Sequence, residues 1–305
     1  MKTIFGPSKL KKPLADTVVV IGVFDGLHQG HRYLIHKAVA TAQKLKVKSV
    51  CVTFHPHPQG QPYLISLKHR LKLIAGLGID YCVVIPFNKK FAHRKPESFV
   101  EDILVKLFHP VYIFIGKHFR FGYKAGGDVR LLASVGHQYG FKVSPVQELT
   151  ICGRKASSQR IRMLISSGRL LQAEKILGRR VSVLGTVIKG SHRGRVLGYP
   201  TANINPHHEV LPKEGIYAVM VVYKSKEYKG LCYIGRRPTF SVSEEAKTIE
   251  AHLFDFNKNI YGQDLEIQFI HKIRSERKFS SSISLISQIK KDQLVARQLL
   301  ARLAS

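Results

Sequence analysis

A change of texture near Arg179 constrains the fold of this 305-residue chain more than any other feature. Before it, short β-branched runs alternate with segments whose apolar residues recur every three or four positions. Thr17 to Phe24 (TVVVIGVF) reads as a buried strand, and Leu34, Ile35, Ala38, Val39, Ala42 and Leu45 then trace one face of a helix. Val47 to Phe54, Tyr81 to Pro86 and Val111 to Ile115 are strand-like, with helical patterns over Leu67 to Leu77 and Pro96 to Leu107. Strands separated by helices can lie parallel, because the helix supplies the crossover that a parallel pair requires. After Arg179, Val181 to Ile188, Gly215 to Tyr223, Tyr228 to Ile234, Ile249 to Phe254 and Leu265 to Ile270 are divided only by short stretches rich in Gly, Pro, Asn and Lys. Strands this close, with no helix between them, point to an antiparallel sheet or barrel. The pattern predicts two domains of different class, residues 1–180 and 181–305. The final stretch, Ile283 to Leu303, has an apolar stripe through Ile286, Ile289, Val295, Leu299 and Leu303, which predicts a helix packed on the barrel.

Several classes of protein are disfavoured. The longest apolar runs, such as Val18 to Val23, fall far short of the ~20 residues a membrane-spanning helix needs. Met1 to Lys12 carries four lysines with no long apolar segment behind them, so no secretory signal is expected. Cys51, Cys82, Cys152 and Cys232 stand far apart without a CxxC pair, which argues against a zinc cage or disulfide framework and suits a reducing cytoplasm. The net charge of +29 is unusual. Residues 1–180 hold 30 basic and 9 acidic side chains, a net of +21, and the rest hold 19 and 11, a net of +8. A polyanionic partner, either nucleic acid or small phosphorylated ligands, accounts for this, and so does a solvated lysine-rich surface.

The motifs decide between them. Gly22-Val-Phe24-Asp25-Gly26-Leu-His28-Gln-Gly30-His31 spans a strand end, a turn and a helix start. A helix amino terminus offers unpaired N–H groups and partial positive charge, which suits phosphate. Gly26 and Gly30 remove side chains where backbone must approach a ligand. His28 and His31, three apart, share a face and can donate to a phosphate chain whose charge grows as pyrophosphate leaves. A lone histidine is usually structural, whereas a pair placed after a strand between glycines points to function. No acidic or cysteine cluster joins them, so phosphate contact is favoured over metal. Ser157, Ser158, Arg160 and Arg162 form a second polar, cationic loop able to bond a triphosphate.

Gly190-Ser-His192-Arg193-Gly194-Arg195-Val-Leu-Gly198-Tyr-Pro200-Thr201-Ala-Asn203 is a glycine-rich loop followed by a rigid turn. Its backbone N–H groups can wrap phosphates that Arg193 and Arg195 neutralise. Thr201 and Asn203 present uncharged oxygens two positions apart, a match for magnesium bridging nucleotide phosphates, since that ion keeps water and takes few protein ligands. The loop is not a Walker A sequence.

The first motif resembles the HxGH signature of nucleotidyltransferases, and its longer form GxFDGxHxGH resembles the bacterial bifunctional riboflavin kinase/FMN adenylyltransferase family. Thr53-Phe-His55-Pro-His57-Pro58 is similar to that family's TFxPHP, Gly116 to Gly122 with Gly127-Asp128 to its GxDFRFG segment, and Ser157 to Arg162 to its SSTxIR. The second loop resembles the riboflavin kinase signature GRxLGYPTAN. Gly215 to Ala218 (GIYA), Ile234 to Phe240 (IGRRPTF), Ile249 to Phe256 with Tyr261-Gly262, and Arg274 to Phe279 follow in family order. Differences stand at His118, Gln159, Lys189, His192 and Tyr233, where the family commonly has other residues.

The resemblance implies a Rossmann-like, nucleotidyltransferase-type parallel sheet followed by an antiparallel β-barrel kinase domain with a carboxy-terminal helix. It implies ATP-dependent phosphorylation of riboflavin to FMN, then adenylyl transfer from a second ATP to give FAD and pyrophosphate. Glu250 would be the catalytic base of the kinase, and Thr201 and Asn203 would hold Mg2+. Gly190, Arg193, Gly194, Arg195 and Gly198 would bind phosphate in that domain. In the transferase, His28 and His31 would be catalytic, with Gly22, Phe24, Gly26, Gly30, Ser157, Ser158, Arg160 and Arg162 around ATP. Flavin contacts would come from Asp25, His57, Arg120, Phe121, Arg274 and Phe279. The alternatives are a single-activity enzyme with one module impaired, and a nucleic-acid-binding protein, which no RNA-binding motif supports.

Overall fold

The computed structural model describes residues 1–151, 153–190, 198–207, 209–236 and 247–303. They form two compact units: Met1–Tyr63 with Leu67–Ser158, and Leu64–Ser66 with Gln159–Ser305. In the first, six strands lie in one parallel sheet: β1 (Lys2–Phe5), β2 (Thr17–Ile21), β3 (Lys48–His55), β4 (Tyr81–Pro86), β5 (Pro110–Gly116) and β6 (Lys142–Val146). Their order across the sheet is β1-β4-β3-β2-β5-β6. The chain therefore steps from β2 outward through β3 to β4, then returns to the other side of β2 for β5. Such a reversal leaves a crevice at the carboxyl ends of β2 and β5, the usual ligand position in open α/β sheets.

Beyond Thr17, strand β2 is a continuous apolar run because helices cover both faces of a parallel sheet. Val19 and Ile21 join the core on one face, and Val18 and Val20 the core on the other. Each such side chain contributes about 1.5–3 kcal/mol by leaving water. Helix α1 (Gln29–Leu45) buries Leu34, Ile35, Ala38, Val39 and Ala42, the stripe read from the sequence. The strand ends at Ile21, before the motif, and Gly22 begins the turn. Helix α2 (Leu67–Ala75), a helical stretch interrupted by a π-turn over 96–108, and α3 (Val129–Tyr139) complete the unit. Helix α3 escaped the sequence pattern, although Asp128 caps its amino terminus by accepting from the N–H groups of Arg130 and Leu131.

In the second unit, helices α4 (Ser158–Ser166) and α5 (Leu170–Leu177) precede a closed antiparallel barrel. Its strands are β9 (Ser182–Ile188), β10 (Ala202–Asn205), β11 (Gly215–Tyr223), β12 (Lys226–Arg236), β13 (Lys247–Leu253) and β14 (Asp264–Arg274), after a small pair, β7 (Thr150–Ile151) and β8 (Arg154–Lys155). Strand β10 is the piece of the predicted turn that pairs with both β9 and β13 and closes the barrel. Leu64–Ser66 belongs to this unit because Glu209 fixes it. One carboxylate oxygen accepts from Ser66 N and Oγ, and the other accepts from Leu184 N.

Helix α6 (Ser282–Ala301) packs on β11, β12 and β14 as the apolar stripe suggested, with Ile289 and Leu299 half-buried and the most buried positions rotated slightly from that stripe. Asp292, Ala296 and Leu300 are buried, whereas Val295 and Leu303 are exposed. The reason is Asp292, a carboxylate at an inward position whose partner, Arg274, waits on β14.

Candidate functional site

At the carboxyl end of β2 the chain makes a sharp, left-handed turn. Phe24 has φ 53° and Gly26 φ 73°, a conformation natural to glycine. Phe24 is fully buried, and a Cβ on Gly22 would approach its ring to 2.9 Å. His28 caps helix α1: its Nδ1 accepts from the N–H of His31 at 3.4 Å. The two imidazoles stack at 3.7 Å between centroids, and the Phe24 ring meets His31 edge-on at 5.5 Å. A Cβ on Gly30 would lie 3.2 Å from the His28 ring. That glycine therefore makes room for the imidazole itself, where the sequence suggested room for ligand.

Burial pushes His28 down to about 4, and it pushes His31 well below the ordinary imidazole range, helped by repulsion from His28 and Arg70. Both rings are neutral at pH 7. Because His28 Nδ1 accepts, its proton sits on Nε2, which is left to donate. Nδ1 of His31 is buried with no hydrogen-bond partner. Ser158, 133 positions along the chain, donates its Oγ to the carbonyl of Asp25 at 2.8 Å, so the structure brings this serine to the histidine turn. Ser157, Arg160 and Arg162 are part-buried beside it in sequence, and Asp25 is buried.

His57 lies against Tyr63, with ring centroids 5.0 Å apart. Arg120 is exposed and pairs with Asp128 at 3.6 Å, whereas Phe121 is buried in the core against Phe99 and Phe119. Arg70 escaped sequence reasoning altogether. It occupies an inward position of α2 and is wholly buried. The available signal was a cation standing where the helical stripe calls for an apolar residue.

In the barrel, Asn203 of β10 stands directly opposite Glu250 of β13, which stands opposite Tyr233 of β12. Thr201 Oγ1 donates to Glu250 Oε2 at 3.3 Å. A Cβ on Gly190 would overlap the Asn203 amide, so the strand exit there requires glycine. Thr201 and Glu250 face a cleft of about 440 Å³ whose apolar wall is Ile216, Leu231, Leu285 and Ile289. Arg274 and Phe279 also line it. The Arg274 guanidinium is gripped by Asp292, with Nε to the carboxylate at 2.9 and 3.0 Å and Nη2 at 2.8 Å, and it lies 5.6 Å from the Phe279 ring. Tyr233 OH donates to Glu276 at the same cleft, and burial with the Glu276 and Glu250 charges pushes its phenol far up. Thr201 also lines a second hollow of about 360 Å³ with Pro200, Phe256, Asn257 and Tyr261. Gly198 has φ 81°. Arg193, Gly194 and Arg195, like His192, lie outside the described residues.

The side-chain oxygens of Thr201 and Asn203 are hard donors of the kind magnesium takes, and Thr201 lies beside the Glu250 carboxylate. Among the described residues there is no cluster of three His, Cys, Asp or Glu able to hold a softer metal.

Comparison with known proteins identifies the family. The family model described as FAD synthetase matches residues 10–160, and the one described as riboflavin kinase matches residues 177–300. The chain belongs to the bifunctional riboflavin kinase/FMN adenylyltransferase family. Proteins of that name from Buchnera aphidicola (subsp. Schizaphis graminum) and Escherichia coli K12 are 36% and 34% identical to it. The alignments cover 96% of both chains in the first case, and 98% of this chain and 97% of the other in the second. A crystal structure titled as a macrolide-efflux protein from Streptococcus pneumoniae superposes with TM-score 0.83 at 30% identity, covering 97% of this chain and 99% of that one. It shares the fold. Among the described residues no helix is long and apolar enough to cross a membrane. The parallel sheet, the closed barrel and the carboxy-terminal helix are those expected of the family.

Proposed function

We propose that this bifunctional riboflavin kinase/FMN adenylyltransferase makes FAD in two steps at two separate sites, with the kinase chemistry at the Thr201–Glu250 pair. The contact between Thr201 Oγ1 and Glu250 Oε2, at the wall shared by an apolar cleft and a second hollow, carries this reading. Riboflavin lies in the first cleft, its ring system against Ile216, Leu231 and Ile289. ATP enters from the Thr201 side, its phosphates held by the 190–198 loop through Arg193 and Arg195. Glu250 takes the proton of the riboflavin 5′-hydroxyl as that oxygen attacks the γ-phosphorus, giving FMN and ADP. Thr201 and Asn203 would hold Mg2+, which supplies charge neutralisation at the phosphates.

In the first unit, the FMN phosphate attacks the α-phosphorus of a second ATP. An ionised phosphate needs no general base at pH 7. His28 donates from Nε2 to the phosphates, and the α1 amino terminus with Ser157, Ser158, Arg160 and Arg162 stabilises charge as pyrophosphate leaves. Asp25, His57, Arg120 and Phe121 contact the flavin there, as Arg274 and Phe279 do in the kinase. We keep the division between activities near residue 180, at the start of the barrel, although helices α4 and α5 already cluster with the second unit. We further assign the protein to the cytoplasm, since scattered cysteines without CxxC pairs suit a reducing compartment.

The test is to incubate purified protein with riboflavin, ATP and Mg2+ and resolve the flavins by chromatography. FMN followed by FAD is expected. FMN alone, with supplied FMN also unconverted, means a transferase lost through differences such as His118 and Gln159. Neither product from a folded sample sinks the reading.

A further inference from the structure

Arg70 is the least economical residue in the first unit. It is 0% exposed, a guanidinium set in the interior beneath the histidine turn. What holds it is specific. Nη1 donates to the carbonyl of Val23 at 2.7 Å, and Nη2 donates to the carbonyl of Phe54 at 3.0 Å. The guanidinium lies 4.3 Å over the ring of Tyr63, whose hydroxyl donates to the same Phe54 carbonyl at 2.6 Å. Nε is left buried without a partner.

The two carbonyls belong to the exits of adjacent strands. Val23 leaves β2 for the turn that carries Asp25, Gly26 and His28, and Phe54 leaves β3 for His55 and His57. Thr53 Oγ1 ties the same Val23 carbonyl from β3 at 3.0 Å. A rigid, planar fork of donors suits two carbonyls on neighbouring strands better than the point charge of an ammonium, and an apolar side chain cannot bond either.

We propose that Arg70 is a positioning residue for adenylyl transfer: it clamps the exits of β2 and β3 so that the two histidine-bearing turns keep one relation, and it adds positive potential beneath the His28–His31 pair. This rests on the assignment of that pair to the ATP phosphates. The groups facing His31 are His28 at the helix cap, Phe24 in the turn and Arg70 from α2, while Asp25 bears on Tyr63. After burial, the Arg70 charge is a further cause holding both His31 and His55 below the ordinary imidazole range. A scaffolding role alone predicts something different: a change in stability with the rate and pH profile of adenylyl transfer unmoved.

The experiment uses the full chain with Arg70→Met and Arg70→Lys, reading adenylylation of supplied FMN against pH and riboflavin phosphorylation as an internal control. Arg70→Met is expected to lower adenylyl-transfer kcat at least about tenfold. Losing the charge raises the His31 pKa, so the acid limb of the profile moves to higher pH. Arg70→Lys keeps the charge and loses the fork, so kcat falls while the acid limb stays. Kinase activity remains within about twofold in both. Unchanged kcat and pH profile in Arg70→Met, with only the melting temperature moved, overturns the proposal, as does parallel loss of both activities in the two variants. His28→Ala measured alongside separates the two readings: if it leaves adenylyl transfer intact, the site assignment fails whatever Arg70 does.

Discussion

At the scale of single residues, His28 and His31 show how burial sets chemistry. Neutral imidazoles in a fixed tautomer present an N–H at a defined place without drawing the His28–His31 pair apart by repulsion. The cost appears in acid. Below about 6.5 the unfolded chain protonates His28, whereas the folded chain holds it neutral until about 4. The unfolded state then binds more protons, so stability falls as pH drops through that window. At about 1.4 kcal/mol per pKa unit the full loss is about 3 kcal/mol. Urea unfolding of the wild type from pH 7 to 4.5 is expected to show this slope, and His28→Gln is expected to flatten it. An unchanged slope in the variant places the acid sensitivity elsewhere. The sequence displayed both histidines, but not their protonation state, because burial is created by Phe24 and the packing around it.

At the scale of elements, helix α6 carries the clearest lesson. Its apolar stripe sets nearly the right face inward, with Leu299 against the barrel core, but it omits Asp292, which takes an interior position to grip Arg274, with Gln288 Nε2 donating to the same carboxylate at 2.6 Å. A pattern that counts only apolar residues has no place for a buried carboxylate whose partner lies 18 positions earlier. Removing one member of such a pair leaves the other buried and uncompensated. Asp292→Ala is therefore expected to cost about 3–5 kcal/mol in urea unfolding. Because Arg274 and helix α6 wall the cleft, Asp292→Asn is expected to raise the KM for riboflavin more than it lowers kcat. A KM equal to wild type would detach the ion pair from the cleft. Strand β10 teaches the same point: Pro200 to Asn203 reads locally as a turn, and only pairing with β9 and β13 makes part of it a strand.

Across the whole molecule, the two sites are built on unrelated architectures, one at a strand-order reversal and one on a barrel wall. Their independence is testable. Glu250→Ala is expected to abolish FMN formation while leaving adenylylation of supplied FMN, and His28→Ala is expected to do the reverse; joint loss in folded protein counts against separate sites. The two fold classes, and most of the residues with usable chemistry, were legible in the sequence, because periodicity and glycine placement are local properties of the chain. What meets what was decided by tertiary structure: Ser158 at the Asp25 carbonyl, Thr201 at Glu250, Arg70 between two strand exits and Asp292 beneath Arg274. Each of these depends on the element that packs against it from far along the chain, and a residue's burial and partner are set there rather than by its neighbours in sequence.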